Sequence, residues 1–243
     1  MNSGMFAALS GGMASIQRME SLTNNLANLN TAGYKKDRII FETVLASVDP
    51  SKLTSEADQT PVHSGVRFVT DYSAGSVRQT GATLDFALDG DGYFVVNTPQ
   101  GKAYTRQGNF HLDAAGKLLT TQGSEVLGNG KAITITGKKV DVSGKGEIFV
   151  DGVQVGALDM VEFTKPYTLK KAGDALFTAE VGVTPQPAKN TSVRQGSLES
   201  SNVNPILELT DLIATTRYYE SCLKAVKSYD DMAAKAANDL GKL

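Results

Sequence analysis

Two runs of alternating three- and four-residue spacing sit at opposite ends of this chain, and the long middle keeps a different rhythm. Met5, Leu9, Gly12, Ile16, Met19, Thr23 and Leu26 form the first run. Leu209, Leu212, Thr216, Tyr219, Leu223, Val226, Asp230, Ala233, Ala237 and Leu240 form the second. Apolar or small residues at that spacing line one stripe of a helix and make a coiled-coil-like seam. Each seam needs a partner, and the two ends can supply one for each other.

The two helices differ on their other faces. The second carries Glu208, Asp211, Arg217, Glu220, Lys224, Lys227, Asp231 and Lys235 away from its seam, which gives it a wet side. The first has only Arg18 and Glu20 before Lys35, and it closes in TNNLANLNTAGYKK, where Asn24, Asn25, Asn28 and Asn30 crowd the last turns. Asn is a poor helix former, and a helix of this composition is marginal in isolation. Neighbours are therefore expected around most of its circumference. Asn24, Asn25 and Asn28 lie off the seam, where their amides could bond to other helices. A frayed, capped helix end is the alternative, because Asn favours ends. The helix is expected to stop near Asn30, with Gly33 supplying the left-handed conformation common past a helix end. The second helix should begin after SNVNP, where Ser201, Asn202 or Asn204 can cap and Pro205 suits the first helical position.

Between the helices the pattern is that of strands. In TLDFALDGDGYFVV, Leu84, Phe86 and Leu88 alternate with polar or small residues before Gly90 and Gly92 mark a turn or bulge. In EIFVDGVQVGAL, Asp151-Gly152 has the chemistry of a two-residue hairpin turn. Similar turns recur at Asp113 to Gly116, Thr121 to Ser124 and Gly128 to Lys131. The reading is an α+β chain. Residues 1–34 form the N-terminal helix, 35–80 an extended connector, 81–183 a mainly antiparallel β domain, 184–204 a second connector and 205–243 a C-terminal helix pairing with the first.

Little in the chain points to catalysis. Its 243 residues are 41% hydrophobic and 21% charged, enough for a buried core, and a net charge of -2 provides no basic field for nucleic acid. Cys222 is the single cysteine, which excludes an internal disulfide and a multi-cysteine zinc site. His63 and His111 stand in no metal-ligand spacing, and Asp85, Asp89 and Asp91 lack an oxygen ligand where Tyr93 stands, so they read as turn carboxylates. GNGK at Gly128 is a turn and not a phosphate loop, and no nucleophile elbow is present. Arg217, Tyr218 and Tyr219 could form an aromatic patch, although packing is the usual role at helical spacing. No cofactor or metal site, no enzyme activity and no membrane insertion are expected. MFAALSGGMASI lacks a preceding Lys or Arg and continues in helical rhythm, so it reads as helix rather than as a cleaved secretory signal. By itself that favours the cytoplasm.

NNLANLNTAGYKK resembles the N-terminal motif of bacterial flagellar rod, hook and hook-associated axial proteins, and GSLESSNVNPILELTDLIATTRYYESCLKAVKSYDDM resembles their C-terminal motif. LDFALDGDGYFVV with AYTRQGNFHLDAAGKLLTTQGSEVLG is similar to the β-domain motif of the larger rod and hook proteins. The three occur in the family's order. Length and the opening MNSGMFAALSGGM are most similar to proximal rod members, with distal rod or hook-like members next.

The resemblance implies a tube of paired terminal helices with the β domain outside. It also implies export through the flagellum's own apparatus without cleavage, which replaces the cytoplasmic inference, and residence in the periplasmic part of the basal body. The implied partners are other rod proteins, copies of the same chain and the export apparatus. The expected assembly interface is Met5, Leu9, Ile16, Met19, Asn24, Asn25, Leu26, Asn28 and Gly33 with Leu209, Leu212, Tyr219, Leu223 and Val226. A reading from a different class is a secreted carbohydrate-binding protein or enzyme whose helices merely dimerise it.

Overall fold

The computed structural model describes residues 3–44, 63–165, 167, 169–180 and 182–240. The chain divides into two compact units. The first contains residues 1–27, 36–71 and 204–243, and the second 28–35 and 72–203.

Helix α1 (Ser3–Ala27) and helix α2 (Pro205–Leu240) pack against each other in the first unit. The Asn204 side-chain oxygen accepts the amides of Ile206 and Leu207 at 3.1 and 3.3 Å, so Asn204 is the cap among the three candidates and Pro205 follows it. Helix α1 ends at Ala27, three residues before Asn30, and a turn follows in which the Thr31 amide donates to the Asn28 carbonyl. Strands β1 (Asp37–Val44) and β2 (His63–Thr70) form an antiparallel ribbon, with Asp37 opposite Thr70 and Val44 opposite His63. The segment 35–80, expected to be an extended connector, therefore contains a paired ribbon; its residues 45–62 lie outside the described residues. Ile40 and Phe68 are exposed on it, and that mixture of polar and exposed apolar residues is what hid the strand rhythm.

The second unit is antiparallel β throughout. Strand β3 (Val77–Gln79) pairs with residues Ser197–Glu199, and strand β4 (Phe86–Asp89) pairs with Ser192–Gln195. The expected second connector thus supplies two strands to the β unit. Strand β5 (Tyr93–Thr98) is central to the largest sheet, with strand β6 (Gly101–Thr105) on one side and Glu125–Gly128 on the other. Both faces of β5 are covered. Phe94 and Val96 enter a core with Phe86, Phe110, Leu118, Val126 and Ile148. Tyr93 and Val95 enter a second core with Tyr104, Phe163 and Phe177. A strand enclosed on two sides reads as a continuous apolar run, which explains YFVV. The hairpin at Asp151-Gly152 forms as the turn chemistry requires, with φ of 49° and 86° and Val150 opposite Val153.

Candidate assembly interface

The contact between the helices keeps every second position of the seam read from sequence and moves the positions between them back by one residue. On α1 the residues turned inward are Met5, Ala8, Gly12, Ser15, Met19, Leu22 and Leu26. On α2 they are Glu208, Leu212, Thr215, Tyr219, Cys222, Val226 and Tyr229. Both rows keep the three-four alternation. Of the residues read from sequence, Met5, Met19, Leu26, Leu212, Tyr219 and Val226 lie in this contact between the two helices, whereas Leu9, Ile16, Leu209 and Leu223 lie outside it and are exposed. The physical reason is closeness. Gly12, Ser15, Thr215 and Cys222 let the backbones approach, and a Cβ on Gly4 would run into the Tyr229 hydroxyl. Leu223, read as an inward knob, is 50% exposed, while its neighbour Cys222 is buried. Tyr218 is exposed, and Tyr219 is half-buried on the seam.

The asparagines separate into different roles. The Asn25 amide group donates to the Asp37 carbonyl at 2.9 Å, and its oxygen accepts the Asp37 amide at 3.0 Å. The same amide group donates to the Glu208 carboxylate on α2 at 3.3 Å, and Lys36 donates to that carboxylate at 3.3 Å. Asn25 thus fastens the end of α1 to the start of both β1 and α2. Glu208, read from sequence as part of the wet side, is buried here by those two donors. The Asn28 oxygen accepts the Thr31 hydroxyl at 3.1 Å in the turn, and Asn24 is exposed on α1.

Within the second unit lies a buried ionic group that local pattern did not reveal. Lys35 donates to Glu199 at 2.6 Å and to the Ser73 carbonyl at 2.8 Å. Arg106 meets the other Glu199 oxygen at 3.2 Å, donates to the Gly90 carbonyl at 2.6 Å and lies 5.0 Å above the Tyr93 ring. The Gly75 amide also donates to Glu199. Two cations and a backbone amide so surround one carboxylate. Gly33 is built into the same place. Its φ is 66°, and a Cβ there would collide with the Arg106 carbonyl carbon and oxygen.

Other polar groups have structural explanations. Asp89 pairs with Arg194 and Asp91 with Lys165. The hydrogen bond from Lys165 holds the Asp91 carboxyl below its ordinary pKa, and burial pushes the Tyr93 phenol well above its own. His111 sits exposed in a short strand opposite Leu119, and the His63 side chain lies outside the described residues. Among the described residues no three His, Cys, Asp or Glu side chains are grouped to hold a metal ion. Among the described residues no helix is long and apolar enough to cross a membrane.

Three family models match the chain. Residues 5–35 match the flagella basal body rod protein model, 87–150 the D1 domain of the flagellar hook protein FlgE/F/G, and 194–240 the C-terminal region of the flagellar basal body rod FlgEFG protein. The flagellar basal-body rod protein FlgF of Rhizobium meliloti is 34% identical over 99% of both chains. The corresponding protein of Caulobacter vibrioides is 32% identical over the whole of both. The flagellar basal-body rod protein FlgG of Bacillus subtilis is 32% identical over 96% of this chain and 97% of its own. The chain belongs to the flagellar basal-body rod protein family. It is a structural subunit of the basal-body rod. Each family match contributes one member of the buried ionic group, Lys35 from the first, Arg106 from the second and Glu199 from the third.

Proposed function

We propose that this chain is a proximal rod subunit that joins the rod through its terminal helices and carries torque along them. It leaves the cell through the flagellum's own export apparatus without cleavage and resides in the periplasmic part of the basal body. The observation that carries the reading is the outer surface of the helix pair. Phe6, Leu9, Met13 and Ile16 on α1, and Ile206, Leu209, Ile213 and Leu223 on α2, are exposed, although α1 has only two charges with which to stay in water. Apolar surface left open on helices is what a polymer subunit needs and an isolated protein avoids. Helically related copies then meet through unlike faces, so the contact propagates. No catalytic residue is required. Placement in the proximal segment rests on the relatives named FlgF, and the relatives named FlgG favour the distal segment as the second reading.

The test compares Leu223→Asp with Lys224→Ala in cells lacking their own copy. Leu223 is half exposed, so the isolated Leu223→Asp chain should melt within about 0.5 kcal/mol of the parent. In the rod its apolar contact, worth about 1.5 to 3 kcal/mol, is replaced by an unpaired charge, and both incorporation and swimming should be lost. Lys224→Ala should swim nearly normally. If both variants swim normally, the open helix surface is not an assembly surface. Imaging a labelled copy in the same purified basal bodies separates proximal from distal placement. The intact mass of the incorporated chain should retain Met5 to Ile16; a new terminus inside that stretch overturns unprocessed export.

A further inference from the structure

Helix α1 carries two outward rows in addition to its seam with α2, and they are unlike. Phe6, Leu9, Met13 and Ile16 stand at three-four-three spacing, all exposed and all large, and the row ends one turn later at Glu20. Ala7, Gly11, Ala14 and Arg18 keep the complementary four-three-four spacing and, with Ala214 and Tyr218 of α2, line an apolar groove of about 600 Å³. At 3.6 residues per turn the two rows point about 150° apart around the helix. One is a ridge of large side chains and the other a channel of small ones.

The charges fall on the same division. Glu20 ends the ridge and Arg18 ends the channel, and they are the only charged residues of α1. Arg18 has one ion pair among the described residues, at 3.8 Å from Asp211 with both side chains half exposed, and Glu20 makes none there. We propose that the groove of one copy receives the Phe6–Ile16 ridge of the next copy, with the two α1 helices parallel and Glu20 of the incoming ridge paired with Arg18 of the groove. Parallel in-register docking separates positions 18 and 20 by about 3 Å along the axis, whereas antiparallel docking places Glu20 against the Ala7 end, roughly 16 Å from Arg18. A ridge entering a different face cannot close a two-fold dimer; it continues from copy to copy, as a ring where the rotation closes and as an open helix where it does not. The α2 surface fits the groove less well, because Asp211, Arg217 and Glu220 interrupt its exposed apolar residues.

This inference rests on the rod reading and specifies its contact. Full-length Arg18→Glu and Glu20→Arg variants, each checked to melt as the parent does, should each lower incorporation into basal bodies by about fivefold, and the double exchange should restore it. Independently, in a Cys222→Ser background, Met13→Cys together with Ala14→Cys should give disulfide-linked oligomers beyond the dimer on oxidation of purified basal bodies, and Met13→Cys alone should give none. Dimers from Met13→Cys alone mean a symmetric ridge-to-ridge contact and overturn the proposal. Products whose mass is not a multiple of this chain overturn the choice of a second copy as occupant. Failure of the double exchange to restore incorporation overturns the parallel register. Phe6→Asp keeps the two levels distinct: normal incorporation of that variant removes the rod reading of α1 itself, while its loss alongside unrescued charge exchange removes only this contact.

Discussion

Phe177 and Phe6 are the same residue in two regions built on opposite rules. Phe177 has no exposed surface, sits at 5.8 Å from the rings of Tyr72 and Tyr93, and belongs to a core that closes on itself. Phe6 is 55% exposed on a helix whose inward side, beside it, carries Ala8, Gly12 and Ser15 among larger residues such as Met19 and Leu22. The β unit uses its large side chains to satisfy itself and even buries its charges in pairs. The helical unit mixes small residues with a few large ones in its own contact and leaves many other large apolar residues exposed. One region covers its large apolar residues within the chain, and the other leaves many of them open to solvent.

The contrast predicts different sensitivities. The largest effect is expected at Glu199, because Glu199→Ala leaves both Lys35 and Arg106 buried without their carboxylate. Breaking a buried pair costs about 3 to 5 kcal/mol, so denaturant unfolding of the full chain should show the β unit strongly destabilised. A loss below about 1 kcal/mol would mean that water reaches the group and that the β unit is less closed than described. Next is Asn25→Ala, which removes the links to Asp37 and Glu208 inside the helical unit. A loss of about 1 to 3 kcal/mol is expected from the unpaired buried groups, read as faster hydrogen exchange in the last turn of α1. The β strands should keep their exchange rates; if they change equally, the two units do not respond separately.

The smallest effect is a pH dependence of the β unit. Burial raises the Tyr93 phenol pKa in the folded chain, so the folded state keeps a proton that the unfolded state begins to lose near pH 10. Stability from this group is present below about pH 10 and is lost as pH rises above it, by about 1.4 kcal/mol at pH 11. Tyr93→Phe should flatten that alkaline decline in melting temperature. An unchanged slope would assign the decline to other groups.

Much of the architecture could be read locally. Asn204 and Pro205 opened a helix, Asp151-Gly152 closed a hairpin, and Gly33 took the left-handed turn, because each depends on a few adjacent residues. The frame of the helical seam could not be read in the same way. Leu9 and Ile16 keep the same spacing as Ala8 and Ser15, and choosing by size favours the larger residues although the contact favours the smaller. The buried ionic group was out of reach for a different reason: Arg106 is 93 positions from Glu199, and Lys35 is 164. No periodicity joins positions so far apart.

That distance of 164 residues also bears on time. Lys35 follows α1 almost directly, and Glu199 comes just before α2, so the β unit is sealed by residues from its two extremities. Contacts between remote positions must await closure of the intervening loop, which slows folding. A chain delivered N-terminus first presents Lys35 early and must wait for Glu199, the last of the three, before that charge can be covered. A shortened chain lacking Glu199 therefore leaves Lys35 and Arg106 without their shared carboxylate however much of the sheet it contains.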